Sequence, residues 1–172
     1  MKNKTYLITG SSGFIGTRLL DYLISINCNI KLLAREHHPS IETFICDFRK
    51  DKIPPLALKS IHTVFHLAGI AHDLRNQKQV EELYNSINID ATINLAKIAA
   101  KNGVKKFVFI SSVKAGGISS IGKCGNESDQ SSPSDIYGKT KREAELQLIR
   151  LGRETGMRIS CLLYTSPSPR DS

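Results

Sequence analysis

Tyr137 and Lys141 stand four residues apart in the stretch Tyr137-Gly138-Lys139-Thr140-Lys141. On a helix that separation puts a phenol and an ammonium on one face, within reach of a shared ligand. A free phenol has a pKa of about 10 and is a poor base at neutral pH, but a neighbouring ammonium favours the phenolate. The pair could therefore move a proton. A solvated Tyr and Lys at this spacing are common, so the chemistry needs support from elsewhere in the chain.

That support is a glycine-rich turn. Thr9-Gly10-Ser11-Ser12-Gly13-Phe14-Ile15-Gly16 follows the apolar run Tyr6-Leu7-Ile8 and precedes Leu19, Leu20, Leu23 and Ile24 at helical spacing. A strand, a glycine loop and a helix in that order suit a nucleotide. Gly10 permits the tight turn, Gly13 lets backbone approach a pyrophosphate, and Gly16 lets helix pack closely on strand. The helix start, with Phe14 and Ile15, offers N–H groups to the phosphates. Arg35 follows Gly16 by nineteen residues, where an acid would grip the ribose hydroxyls of NAD. An arginine there accommodates a 2′-phosphate, which tips the expectation slightly to NADP; a solvated strand-end arginine is the alternative.

Elements that could position these groups alternate along the chain. Ile30 to Ala34, Thr43 to Cys46, Thr63 to Leu67 and Phe107 to Ile110 read as buried strands, and a further strand begins around Met157. Val80 to Ala100 reads as a long helix stopped by Asn102-Gly103, and the helix carrying Tyr137 and Lys141 is expected to be capped by Ser134 and to run to about Arg153. Residues 112 to 134 read as a polar loop. Continuous apolar strands alternating with helices imply a doubly wound α/β parallel sheet, the Rossmann fold, in one domain.

The composition, 40% hydrophobic and 23% charged over 172 residues, is that of an ordinary globular domain. No apolar run approaches the roughly 18 residues of a membrane span, and the N-terminus is too short for a secretory core, so the expected location is cytoplasmic. Cys28, Cys46, Cys124 and Cys161 have neither metal-ligand spacing nor disulfide-scaffold density. The net charge of +8 is scattered, which argues for solvated lysines and against a nucleic-acid partner. From Cys161 to Asp171 the chain resembles the translation of a transposase sequencing adapter. Residues 1–160 are therefore expected to form the domain, and 161–172 a non-native tail that truncates the reading frame.

With these motifs in order, the sequence resembles the extended short-chain dehydrogenase/reductase superfamily, in particular the NAD-dependent epimerase/dehydratase family that acts on nucleotide sugars. The resemblance covers residues 4 to 160. It rests on Thr9 to Gly16, on Asp47-Phe48 after the third strand, on His66-Leu67-Ala68-Gly69 after the fourth, on Asn88, on Ser111-Ser112, and on Tyr137 with Lys141. It implies that Asp47 and Phe48 contact adenine, that Leu67, Ala68 and Gly69 line the cofactor, and that Asn88 helps hold the site together. Ser112, twenty-five residues before Tyr137, would be the catalytic serine, with Ser111 as the fallback. Tyr137 would act as acid/base, Lys141 would lower the tyrosine pKa and hold the nicotinamide ribose, and Ser112 would hydrogen-bond the reacting oxygen. His62, His66 and His72 receive no catalytic role. The resemblance also implies NAD or NADP as cofactor, a nucleotide-sugar substrate, and a homodimer when full length.

Within the family, dehydratases place an Asp-Glu pair after the serine or threonine, whereas Ser112 is followed by Val113-Lys114-Ala115-Gly116-Gly117. The Ser-Ser-Val-Lys segment is similar to that of bacterial UDP-sugar 4-epimerases and 4-keto reductases used for surface polysaccharides. The expectation is 4-epimerisation or 4-keto reduction of a UDP-hexose or UDP-N-acetylhexose. A reductase of a non-sugar carbonyl and a non-catalytic NAD(P)-binding regulatory protein are the alternatives.

Overall fold

The computed structural model describes residues 4–71, 77–117 and 132–164. Six strands form one parallel sheet: β1 (Thr5–Thr9), β2 (Asn29–Ala34), β3 (Thr43–Ile45), β4 (Thr63–His66), β5 (Lys106–Ser112) and β6 (Arg158–Tyr164), in the order β3-β2-β1-β4-β5-β6. The order reverses between β1 and β4. Parallel α/β sheets open a crevice at the carboxyl ends of the strands at such a point.

Strand pleat divides the core into two layers. Leu7, Leu33, Val64, Phe107 and Phe109 face one side, where α3 (Thr92–Lys101) contributes Leu95, Ala96 and Ala99 and α4 (Ile136–Thr155) contributes Ala144 and Leu148. Ile8 and Leu32, one residue out of phase, face α1 (Phe14–Ser25) through Leu20 and Leu23. Both faces are covered, so the strands read as continuous apolar runs.

Three local features depart from the sequence reading. The long helix expected over Val80 to Ala100 is a composite of α2 (Gln77–Tyr84), a π segment (Asn85–Ala91) and α3. A π turn carries an extra residue per hydrogen-bonded loop and so changes which side chains face the sheet; Asn88 lies inside it. The cap of α4 is Asp135 rather than Ser134: the Asp135 carboxylate accepts a 2.7 Å hydrogen bond from the Gly138 N–H. Strand β6 continues four residues beyond Ser160, pairing with β5 from Lys106↔Arg158 to Ser112↔Tyr164. Leu162 and Tyr164 remain 52% and 36% exposed on this edge strand. Residues 165–172 lie outside the described residues, as do His72 and Cys124.

Candidate functional site

The loop after β1 turns at Gly10, whose φ of +70° is in the left-handed region. A Cβ there would stand 2.6 Å from the Ala68 nitrogen, so a side chain is excluded as well as strained. Gly16, on the first turn of α1, meets the Gly10 carbonyl so closely that any Cβ would overlap it. These contacts join the glycine loop to the end of β4 and draw the start of α1 onto β1.

A cleft of about 350 Å³ opens at the carboxyl ends of β1 to β4. Gly10, Gly13, Arg35, Asp47, Phe48, Leu67, Ala68 and Gly69 line it. Phe14, Ile15 and Gly16 line an adjoining cavity of about 410 Å³, which shares Gly10, Gly13 and Leu67 and reaches Ile110 and Tyr164. Asp47 is not a free carboxylate. Arg49 grips it with Nε at 3.0 Å from Oδ1 and Nη2 at 2.5 Å from Oδ2, and this contact first of all holds the acid down to about 2. Among the described residues no cluster of acidic, His or Cys side chains suits a metal ion, and no helix is long and apolar enough to cross a membrane.

Asn88 lies behind the cleft and lines neither cavity. From the π segment its side chain accepts from the Ile70 N–H at 2.9 Å and donates to the Ile70 carbonyl at 3.0 Å and to Thr140 Oγ1 at 3.2 Å. One buried amide thus ties the segment after β4 to α4 at Thr140, the residue before Lys141.

His66 makes a second brace that sequence reasoning did not assign. It is fully buried, with Nδ1 2.7 Å from Thr9 Oγ1 and Nε2 2.9 Å from Thr92 Oγ1. Thr9 Oγ1 also accepts from the Ala68 N–H, so one imidazole joins β1, the segment after β4 and the start of α3. Burial first, then the Lys141 charge, lowers its pKa to about 3. The two flanking threonines, far off in sequence, were the signal that could not be read.

Ser112, Tyr137 and Lys141 converge beside the cleft, at the carboxyl end of β5 and the start of α4. Strand pleat separates the two serines. Ser111 shares the phase of Phe107 and Phe109 and is buried toward α4, while Ser112 comes within hydrogen-bonding reach of the Tyr137 phenol. Lys141 is buried; its Nζ donates to the Ile110 carbonyl at 2.8 Å and lies 4.3 Å from the centre of the Phe109 ring. It borders the cleft, since a Cβ on Gly69 would lie 3.5 Å from it.

The expected depression of the Tyr137 pKa by Lys141 is corrected. Burial raises the phenol above its ordinary value, against the opposing pull of the Ser112 hydroxyl and the Lys114 charge. The Lys141 ammonium is turned to Ile110, 5.9 Å from the Tyr137 ring centre. Burial also lowers Lys141 itself to about 8. The cation that acts on the phenol is Lys114, paired at 2.7 Å with the helix cap Asp135.

Known proteins share this arrangement of elements. Residues 6–168 match the NAD dependent epimerase/dehydratase family. The chain is 36% identical over 163 residues to a UDP-glucose 4-epimerase of Vibrio cholerae, covering 91% of this chain and 49% of that protein. It is also 36% identical over 146 residues to the N-acetyl-alpha-D-glucosaminyl-diphospho-ditrans,octacis-undecaprenol 4-epimerase of Escherichia coli O157:H7, covering 83% and 42%. The solved structure of MoeE5 in complex with UDP-glucose and NAD superposes with a TM-score of 0.79 at 28% identity, over 91% of this chain and 52% of that one. The chain spans about half the length of the curated relatives it matches. A parallel sheet in the order 3-2-1-4-5-6, a glycine loop locked against β4 and a Ser-Tyr-Lys cluster at the end of β5 accord with that match: the chain belongs to the NAD dependent epimerase/dehydratase family.

Proposed function

We propose that this chain is the cofactor-binding and proton-transferring part of a nucleotide-sugar 4-epimerase or 4-keto reductase. The observation that carries the proposal is the convergence of Ser112, Tyr137 and Lys141 beside a cleft whose floor excludes a side chain at Gly10. That floor fits a dinucleotide, because backbone N–H groups at a helix start can approach a pyrophosphate only where no Cβ intervenes. Gly10, Gly13 and the first turn of α1 would hold the phosphates, Asp47 and Phe48 the adenine end, and Leu67 to Gly69 the far wall. When bound, a nicotinamide would supply the hydride chemistry at the sugar carbinol or ketone carbon.

Tyr137 Oη takes the proton of the sugar hydroxyl and gives it back, while Ser112 Oγ hydrogen-bonds the same oxygen. Because burial holds the Tyr137 proton on, a base at neutral pH requires the opposing pull of the Ser112 hydroxyl and the Lys114 charge. A UDP-hexose or UDP-N-acetylhexose is the substrate, supported by the names of the relatives and by the absence of an Asp-Glu pair after Ser112. Arg35 at the mouth of the cleft favours NADP over NAD.

The test has two arms. Titrating NAD and NADP into the 172-residue chain should give binding that Arg35→Asp shifts toward NAD. Reading the gene on independent DNA through codon 160, and assaying its complete product with UDP-glucose and UDP-N-acetylglucosamine, should yield the C4 epimer or turnover of the 4-keto sugar. Tyr137→Phe should lose either activity and keep cofactor binding. Binding of neither dinucleotide overturns the cofactor reading. Turnover of a non-sugar ketone alone overturns the sugar assignment.

A further inference from the structure

The face of α4 that carries Tyr137 and Lys141 continues one turn further to Glu145. Glu145 Oε1 is buried without a hydrogen-bond partner among the described residues, and so is Ser111 Oγ on β5. Two buried polar atoms without partners need an electrostatic reason to be where they are. Burial raises the Glu145 carboxyl above its ordinary value, and the Ser111 hydroxyl and the Lys141 and Arg142 charges pull the other way, favouring the ionised form.

Lys141 supplies the reason. Its ammonium has one carbonyl, Ile110, and the face of Phe109 as neighbours, too little to offset the loss of water around a buried charge. The titratable groups facing it are few. From its own helix come Tyr137 and Glu145; from β4 comes His66, held neutral; from β6 comes Cys161, whose thiol is pushed up to about 12, chiefly by burial. Arg142 lies next to it in α4 and acts on Glu145. Among the described residues, Glu145 is the carboxylate that opposes the effect of burial on Lys141.

We propose that Glu145 is a positioning residue, the counter-ion that keeps Lys141 charged one turn from Tyr137, with the Ser111 hydroxyl holding Glu145 as the carboxylate. The two adjacent serines then divide the work by strand parity: Ser112 faces the phenol and Ser111 faces the acid beneath the lysine. The proposal rests on the reading of Tyr137 and Lys141 given above. It adds a residue that touches neither cofactor nor substrate and acts through Lys141.

The test is a pH titration of the lysine Cε resonances of the 172-residue chain by NMR, with Lys141 identified by the signal lost in Lys141→Met. Its midpoint should fall by about one unit or more in Glu145→Gln, as expected for removal of a near opposite charge. Glu145→Asp should recover part of the shift, and Ser111→Ala should give an intermediate one. Equal midpoints in wild type and Glu145→Gln overturn the proposal. Where circular dichroism shows Glu145→Gln unfolded, Ser111→Ala decides by the same reading, an unmoved midpoint overturning it. Titration of the same samples with NAD and with NADP keeps the two readings apart. A shifted midpoint in a chain that binds no dinucleotide sinks the cofactor reading alone, whereas binding with an unmoved midpoint sinks the Glu145 proposal alone.

Discussion

Lys114 Nζ lies 2.7 Å from Asp135 Oδ2, across a sequence separation of 21 residues. The pair fastens the turn after β5 to the first turn of α4. Asp135 also caps that helix through the Gly138 N–H, and the Lys114 N–H donates to Ser112 Oγ at 3.3 Å. One exposed ion pair therefore sets the distance between the two strand and helix ends that carry Ser112 and Tyr137.

Asp135→Ala should cost about 1 kcal/mol of stability, the usual loss of an N-cap, measured as a shift in urea midpoint. Lys114→Met should cost less, because the side chains are 57% and 41% exposed and such pairs contribute at most about 1 kcal/mol. In an assay of turnover Lys114→Met should still move the pH dependence to higher pH, because the cation favouring the Tyr137 phenolate is gone. An unchanged profile would remove Lys114 from the electrostatics of the phenol.

Gly10→Ala and Gly103→Ala separate strain from collision. Both glycines have positive φ, +70° and +76°, but an added Cβ at Gly103 meets nothing within 4 Å, whereas at Gly10 it meets the Ala68 nitrogen. Gly103→Ala should cost about 1 kcal/mol and leave dinucleotide binding intact. Gly10→Ala should cost more and abolish binding, read by calorimetric titration.

Asn88→Ala should strand the N–H and carbonyl of Ile70, both served by the amide side chain. The expected cost is about 1–3 kcal/mol for each buried group left unpaired, seen as a lower thermal midpoint. Asn88→Asp should be similarly damaging, since it sets a carboxylate oxygen against the Ile70 carbonyl.

His66 makes stability depend on pH in a stated direction. Folded, it holds no second proton until about pH 3; unfolded, it takes one near 6.5. Between those values the unfolded chain binds more protons, so stability is full above pH 6.5 and falls as pH drops toward 3. His66→Gln should be less stable at pH 7 through its lost bonds to Thr9 and Thr92, yet lose less between pH 6.5 and 4. Parallel pH dependences of the urea midpoint would contradict this account.

The strand, glycine loop and helix over Tyr6 to Ile24, the alternation that makes a parallel sheet, and the shared face of Tyr137 and Lys141 were all legible in the chain itself. Each depends on periodicity or backbone freedom within a few residues. The cleft residues at strand ends, such as Gly10, Arg35, Asp47 and Leu67, were legible for the same reason, whereas Leu83 and Ile87, which reach the cleft from α2 and the π segment, were not.

What the sequence alone determined is therefore the local set: a dinucleotide-type loop, a doubly wound order of elements, and an i, i+4 phenol and ammonium. What only the tertiary structure decided is which neighbours those groups meet. That Ser112 meets the Tyr137 phenol while Ser111 is buried toward α4 is a matter of the pleat of β5, and the bracing by Asn88 needed a π turn that local periodicity does not announce. The cap at Asp135 needed Lys114, the His66 brace needed Thr9 and Thr92, and the acid beside Lys141 needed a helix buried on β5 and β6. Charges and hydrogen bonds act across space, and burial sets their strength, so these assignments arise only when distant segments are brought together.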